Sequence, residues 1–192
     1  MSGRIAREIA LIRELDDLGK VNYKDAMSRE MAKYSDRYSP VNDAMSNVLG
    51  VNLVDDLIKY PSQLKMVDEN PTLKGLAWDN NVWVKGELPY VDKIRNHELA
   101  HIGFRHSSSN LPTVIQEIQA EGASYGIGHK LGIPTDVLAM STAPTIYSRA
   151  KQYSSEQIGN MIDMNREPIS KMVDAFMKGQ SPSGYRIANG YQ

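Results

Sequence analysis

The sequence predicts a mostly helical α+β fold, and three patterns carry that expectation. Apolar residues recur at three- and four-residue spacing through the first fifty positions and again beyond Lys93, which is the period of an amphipathic helix. Between these stretches Leu73, Leu76, Trp78, Val82 and Val84 flank Asp79-Asn80-Asn81 and read as a small β-hairpin. With 192 residues and 41% hydrophobic side chains, the chain has enough apolar material for a core.

Ile5, Ile9, Ile12 and Leu15 define a first helix that Gly19 can end, packed on the core or on a protein partner. Both signs of charge share its polar side, which argues against a membrane-surface role. Residues 23–38 form a second helix with Ala26, Met27, Met31 and Tyr34 on one side. Ser39-Pro40 separates it from a third at 41–49, and residues 51–60 suit another short helix halted before Pro61. The hairpin offers an edge with which a peptide could pair, and Trp78 and Trp83 read as packing residues. Asp92 can cap a helix that opens at Lys93, buries Ile94, Leu99, Ile102 and Phe104, and meets no breaker before Ser107-Ser108-Ser109-Asn110. Beyond Gly132 come Pro134 and Pro144, then helical segments at 146–152 and 155–177. In the last, Met161, Ile162, Met164, Ile169, Met172, Val173 and Phe176 form an apolar face, and Glu167-Pro168 marks a break or a new first turn. The expected division is a helical extension at 1–72, a domain at 73–178, and a flexible or partner-ordered tail at 179–192.

One pentapeptide declares a chemistry. His97-Glu98-Leu99-Ala100-His101 reads as HExxH, the zinc-protease pattern. Side chains four apart leave a helix from nearly the same face, so His97 and His101 can hold one metal ion. Glu98, beside the first ligand, is placed to act as general base on water rather than to bind the metal.

The third ligand is not a histidine of the HExxHxxGxxH kind, because Phe104 and Ser107 occupy the required glycine and histidine positions. His106 is one residue early. On a continuing helix it would point about 140° from His101, towards solvent or a partner. The following helix offers Glu117 and Glu121, again four apart, one to complete a His-His-Glu site and the other to accept a ligating histidine's N–H. The gluzincin arrangement puts a ligating glutamate four residues before its supporter, which makes Glu117 the ligand and Glu121 the supporter; the reverse assignment stays open. Gly122, Gly126 and Gly128 suggest a closely packed neighbouring helix. Tyr125 and His129 continue the four-residue stack and could donate to an oxyanion, or simply pack.

The segment from Gly75 to Phe176 resembles the zincin-like domain of ImmA/IrrE peptidases and of the metallopeptidase half of ArdC-type antirestriction proteins. Trp83-Val84, HELAH, Glu117-Ile-Gln-Ala-Glu121 and His129-Lys-Leu-Gly-Ile133 carry the resemblance. It implies a gluzincin core with His97, His101 and Glu117 on zinc, Glu98 as catalytic glutamate, and Tyr147 at an aromatic position of ArdC-like domains. The single-strand-binding or helix-turn-helix domains of such proteins are not evident in residues 1–74, so the metal site is what the resemblance transfers.

Composition narrows the partners. A formal charge of −1 offers no general attraction for nucleic acid. The absence of cysteine rules out disulfides and Cys-zinc sites. No apolar run is long enough to span a membrane, and the amino terminus lacks a signal peptide's apolar core, so the expected location is the cytoplasm or a particle assembled there. The expected function is zinc-dependent peptide hydrolysis on a peptide or protein substrate. The alternative is a non-enzymatic, metal-stabilised protein of a phage or plasmid, a particle component or antirestriction factor, that binds a partner through its amino-terminal helices.

Overall fold

The structure is a computed structural model that describes residues 1–17, 19, 23–54, 73–78, 80–85 and 88–182. It is an α+β arrangement dominated by helices: α1 Ser2–Asp17, α2 Tyr23–Ala32, α3 Ser39–Leu49, α4 Val91–Gly103, α5 Thr113–Lys130, α6 Thr135–Arg149, α7 Ser155–Met164 and α8 Arg166–Lys178. Strands β1 Asn52–Val54, β2 Gly75–Trp78 and β3 Asn81–Val84 form one sheet in the order β1-β3-β2.

The expected hairpin is present, with β2 antiparallel to β3 and Leu76 opposite Trp83. Residue 79 of its turn lies outside the described residues. The sheet also has a third strand where a helix was expected at 51–60: β1 runs parallel to β3, pairing Leu53 with Val82. Gly50 ends α3 in the left-handed conformation, φ 66°, and sends the chain into that strand. Residues 55–60 are outside the described set, as are 183–192 of the expected tail.

Several boundaries move for local reasons. The second helix stops at Ala32, and Ser35–Tyr38 forms a 3₁₀ turn. Ser39-Pro40 opens α3 instead of separating it from its predecessor, since proline's missing N–H costs nothing in a first turn. Pro144 sits inside α6. Its ring cannot donate to the carbonyl of Met140, and the Tyr23 hydroxyl lies 3.3 Å from that oxygen. Pro168 falls in the first turn of α8, one of the two expected outcomes.

At the centre is α5, buried on nearly every side from Val114 to Gly128, as a helix enclosed by neighbours must be. It packs against α4, α6, α7 and α8. The glycines mark its close contacts. A Cβ at Gly122 would stand 2.5 Å from Ile169 Cδ1, and one at Gly126 2.5 Å from Val173 Cγ2, so both admit α8 rather than the helix that carries HExxH. At Gly128 the missing side chain leaves room for Leu138 and for Tyr38, whose hydroxyl donates to the Ser124 carbonyl at 2.9 Å. The amino-terminal helices belong to the same core: Ile5, Ile9 and Ile12 of α1 are buried against α6 and α7, and α3 packs on α4.

Candidate metal centre

Helix α4 carries HExxH, and its first turn is held from a distance. Asp92, the expected cap, lies one residue inside the helix and pairs with Arg95 at 3.0 Å. The Ser35 hydroxyl, from the 3₁₀ turn, instead accepts the Lys93 N–H at 3.1 Å. Asn42 of α3 donates to the Asp92 carbonyl at 2.8 Å and accepts from Asn96 at 2.9 Å. These bonds fix where the helix begins and so which side chains face α5.

His97, His101 and Glu117 converge, with one ligand atom from each lying within 4.8 Å of the others. His97 Nε2 and His101 Nε2 are 3.0 Å apart. Glu117 Oε2 lies 3.5 Å from the first and Oε1 3.7 Å from the second. Metal–ligand bonds of about 2.1 Å at tetrahedral angles give edges of about 3.4 Å, and each Glu117 oxygen lies near that distance from one of the nitrogens, so the group could hold a metal ion. The facing nitrogens need a proton or a metal between them, because two imidazole lone pairs at that distance repel.

The opposite ring atoms are also engaged. His97 Nδ1 is 3.0 Å from Glu121 Oε1, an oblique approach rather than a linear hydrogen bond. Glu121 takes two short bonds from the Lys93 ammonium, 2.7 and 2.8 Å, and both side chains are buried. Glu117 thus stands with the ligand atoms, while Glu121 stands behind His97. Glu98 is half-buried beside them, and β2 comes so close that a Cβ on Gly75 would be 2.9 Å from its Oε1. Lys93, His97, Glu98, His101, Glu117 and Glu121 line a cleft of about 920 Å³, walled also by β2 and by Ser141, Thr145 and Ser148 of α6.

Electrostatics divide the carboxylates. Burial raises the Glu98 carboxyl above the ordinary range, with Glu117 and Glu121 adding to the rise and His97 and His101 opposing it. Glu121 also suffers from burial, yet Lys93 and His97 hold it down at about 2. Burial works to raise Glu117, yet the His101 and His97 imidazoles beside it outweigh that and hold it lowered. Burial works against charge on His97, but Glu121, Glu98 and Glu117 overcome it and carry the imidazole up to about 9.

Other expected residues lie elsewhere. Tyr125 and His129 line a separate pocket with Arg4, Lys130 and Val173. Each four-residue step along a helix adds about 40° of rotation, so they stand roughly 80° and 120° round from Glu117 and leave its face. Tyr147 points away from the cleft, with the Arg13 guanidinium 5.0 Å from its ring centroid and the Lys151 ammonium at 6.0 Å.

His106 is the opposite case. It is buried, not turned to solvent or a partner, and its Nδ1 is 2.7 Å from His101 Nδ1. The expectation assumed a continuing helix, but α4 ends at Gly103 and Arg105 adopts φ 53°, which swings His106 back under the site. Its ring stacks on Phe104, and its Nε2 meets Gln119 Oε1 at 2.9 Å. Lys93 and Gln119 were also missed. The signal for Lys93 was present, since it precedes His97 by four residues; nothing local announced the reversal at Arg105.

No family model, curated protein or solved structure matches this chain.

Proposed function

We propose that the protein is a zinc-dependent peptidase, with His97, His101 and Glu117 as metal ligands and Glu98 as general base. The observation that carries this reading is the convergence of the three ligand atoms at a cleft that Glu98 also lines. Paired helices bearing HExxH and a downstream glutamate, beside a sheet whose edge borders the cleft, favour a gluzincin-type, zincin-like core of the ImmA/IrrE and ArdC kind.

A bound zinc ion would polarise a substrate carbonyl and make water acidic enough to lose a proton near neutral pH. Glu98 receives that proton. Its raised pKa suits it to hold the proton and pass it to the leaving nitrogen. Glu121, charged and fixed by Lys93, orients His97 so that Nε2 faces the ligand position. Among the described residues β2 is an outer strand of the sheet, which gives a peptide a strand with which to pair, and Gly75 leaves its main chain close to Glu98.

The test is digestion of a proteome-derived peptide library by the zinc-loaded protein, with products read by mass spectrometry. Cleavage by the parent and its loss in Glu98→Gln at unchanged zinc content is the expected result. Equal turnover by a pure Glu98→Gln preparation would overturn the assignment.

A further inference from the structure

The polarity of one buried hydrogen-bond chain can be read from its far end. The Met161 carbonyl can only accept, and Asn165 Nδ2 donates to it at 2.8 Å. The Asn165 Oδ1 therefore faces Gln119 and accepts from its Nε2 at 2.9 Å. That leaves Gln119 Oε1 towards His106 Nε2, 2.9 Å away, so the imidazole nitrogen must be the donor. A neutral His106 protonated on Nε2 has a bare Nδ1. Across the 2.7 Å contact this nitrogen accepts from His101 Nδ1–H, which leaves the lone pair of His101 on Nε2, facing His97 and Glu117.

We propose that His106, Gln119 and Asn165 form a positioning relay that sets the tautomer and ring orientation of His101 for metal binding. Asn165 is the single residue between α7 and α8, so the relay ties the ligand to the corner of those two helices. Gln119 is its central member. Its amide both accepts and donates, whereas a carboxylate in its place could not donate to Asn165. The two histidines thus have different supports: a charged one behind His97, Glu121 with Lys93, and a neutral one behind His101. Each support has a set direction, because the Glu121 carboxylate and the Met161 carbonyl can only accept. In the metal-free protein the same direction persists, because the Met161 carbonyl that sets it lies at the far end of the chain from the ligand atoms.

The relay's role towards zinc rests on the proposed metal site, while its direction does not, and two measurements separate them. Nitrogen-15 spectra of histidine side chains, recorded without metal and with zinc, should show His106 as the Nε2–H tautomer in both. Finding the Nδ1–H tautomer would overturn the relay. Zinc affinity, measured by competition with a chromophoric chelator, should fall about 10- to 100-fold in Gln119→Met. It should recover most of that loss in Gln119→Asn if the amide still reaches both partners, and thermal unfolding of the metal-free forms checks that each variant is folded. A folded Gln119→Met protein that binds zinc as tightly as the parent would also overturn the relay. Failure of the parent itself to bind zinc overturns the metal reading, and the tautomer spectrum still decides the relay's direction.

Discussion

Replacing Lys93 with methionine removes one charge from a buried pair while keeping the length of the side chain. Lys93 is 4% exposed and Glu121 1%, so neither charge has water to fall back on. At the observed 2.7 Å the gross attraction is about 6 kcal/mol with an effective dielectric of 20, and most of it offsets desolvation. Removing one partner of such a pair costs about 3–5 kcal/mol. His97, 3.0 Å from Glu121, can compensate part of the exposed charge, so the lower end, about 3 kcal/mol, applies. That corresponds to a fall of about 6–12 °C in Tm for a domain of this size. The assay is urea and thermal unfolding in chelator, which keeps metal linkage out of the measurement. Lys93→Met/Glu121→Gln, which removes both charges, should recover at least half of the lost stability, yet bind zinc about tenfold more weakly than the parent because His97 loses its carboxylate. A cost below about 1 kcal/mol in the single variant, or a double variant less stable than the single, would refute the buried-pair reasoning.

Zinc affinity should depend on pH with a defined sign. His97, raised to about 9, carries a proton below that pH which the metal must displace, so apparent affinity should rise about tenfold per pH unit towards pH 9 and then level off; a flat profile between pH 6 and 8 would contradict it. Glu121, held at about 2, contributes stability that is present above its unfolded value of about 4.5 and is lost as pH falls through about 2. Stability measured by urea unfolding should therefore fall less steeply between about pH 4.5 and 2 in Glu121→Gln than in the parent, and an equal slope would contradict the assignment. Two helical glycines should respond oppositely to alanine. Gly126→Ala forces a Cβ to 2.5 Å from the branched Val173 and should cost about 1–3 kcal/mol, whereas Gly159→Ala meets only Ala6 Cβ at 3.6 Å and should gain up to about 1 kcal/mol in urea unfolding.

Much of the site was legible because helical periodicity is a local property. The four-residue spacing of His97 and His101, and of Glu117 and Glu121, put each pair on a shared face whatever the helices packed against. The apolar face from Met161 to Phe176 was visible for the same reason except at Met164, which ends α7 exposed to solvent, and the hairpin around Val82 and Val84 was visible from its own local pattern. Extending the spacing rule failed when it was carried too far. Tyr125 and His129 obey it step by step, but the 40° added at each step takes them off the face.

By itself, then, the sequence determined which residues could share a helix face, the helical content, and the pair of histidines that could share a metal ion. Tertiary structure decided the rest. The packing of α5 against α4 brought Glu117 to the ligand atoms and left Glu121 between His97 and Lys93. One left-handed residue, Arg105, turned His106 beneath His101. Ser35, 58 residues upstream, supplied the helix cap that Asp92 was expected to provide. Spacing along a helix specifies direction about its own axis, whereas a ligand set is defined by distances between helices, and those are set only when the whole core closes.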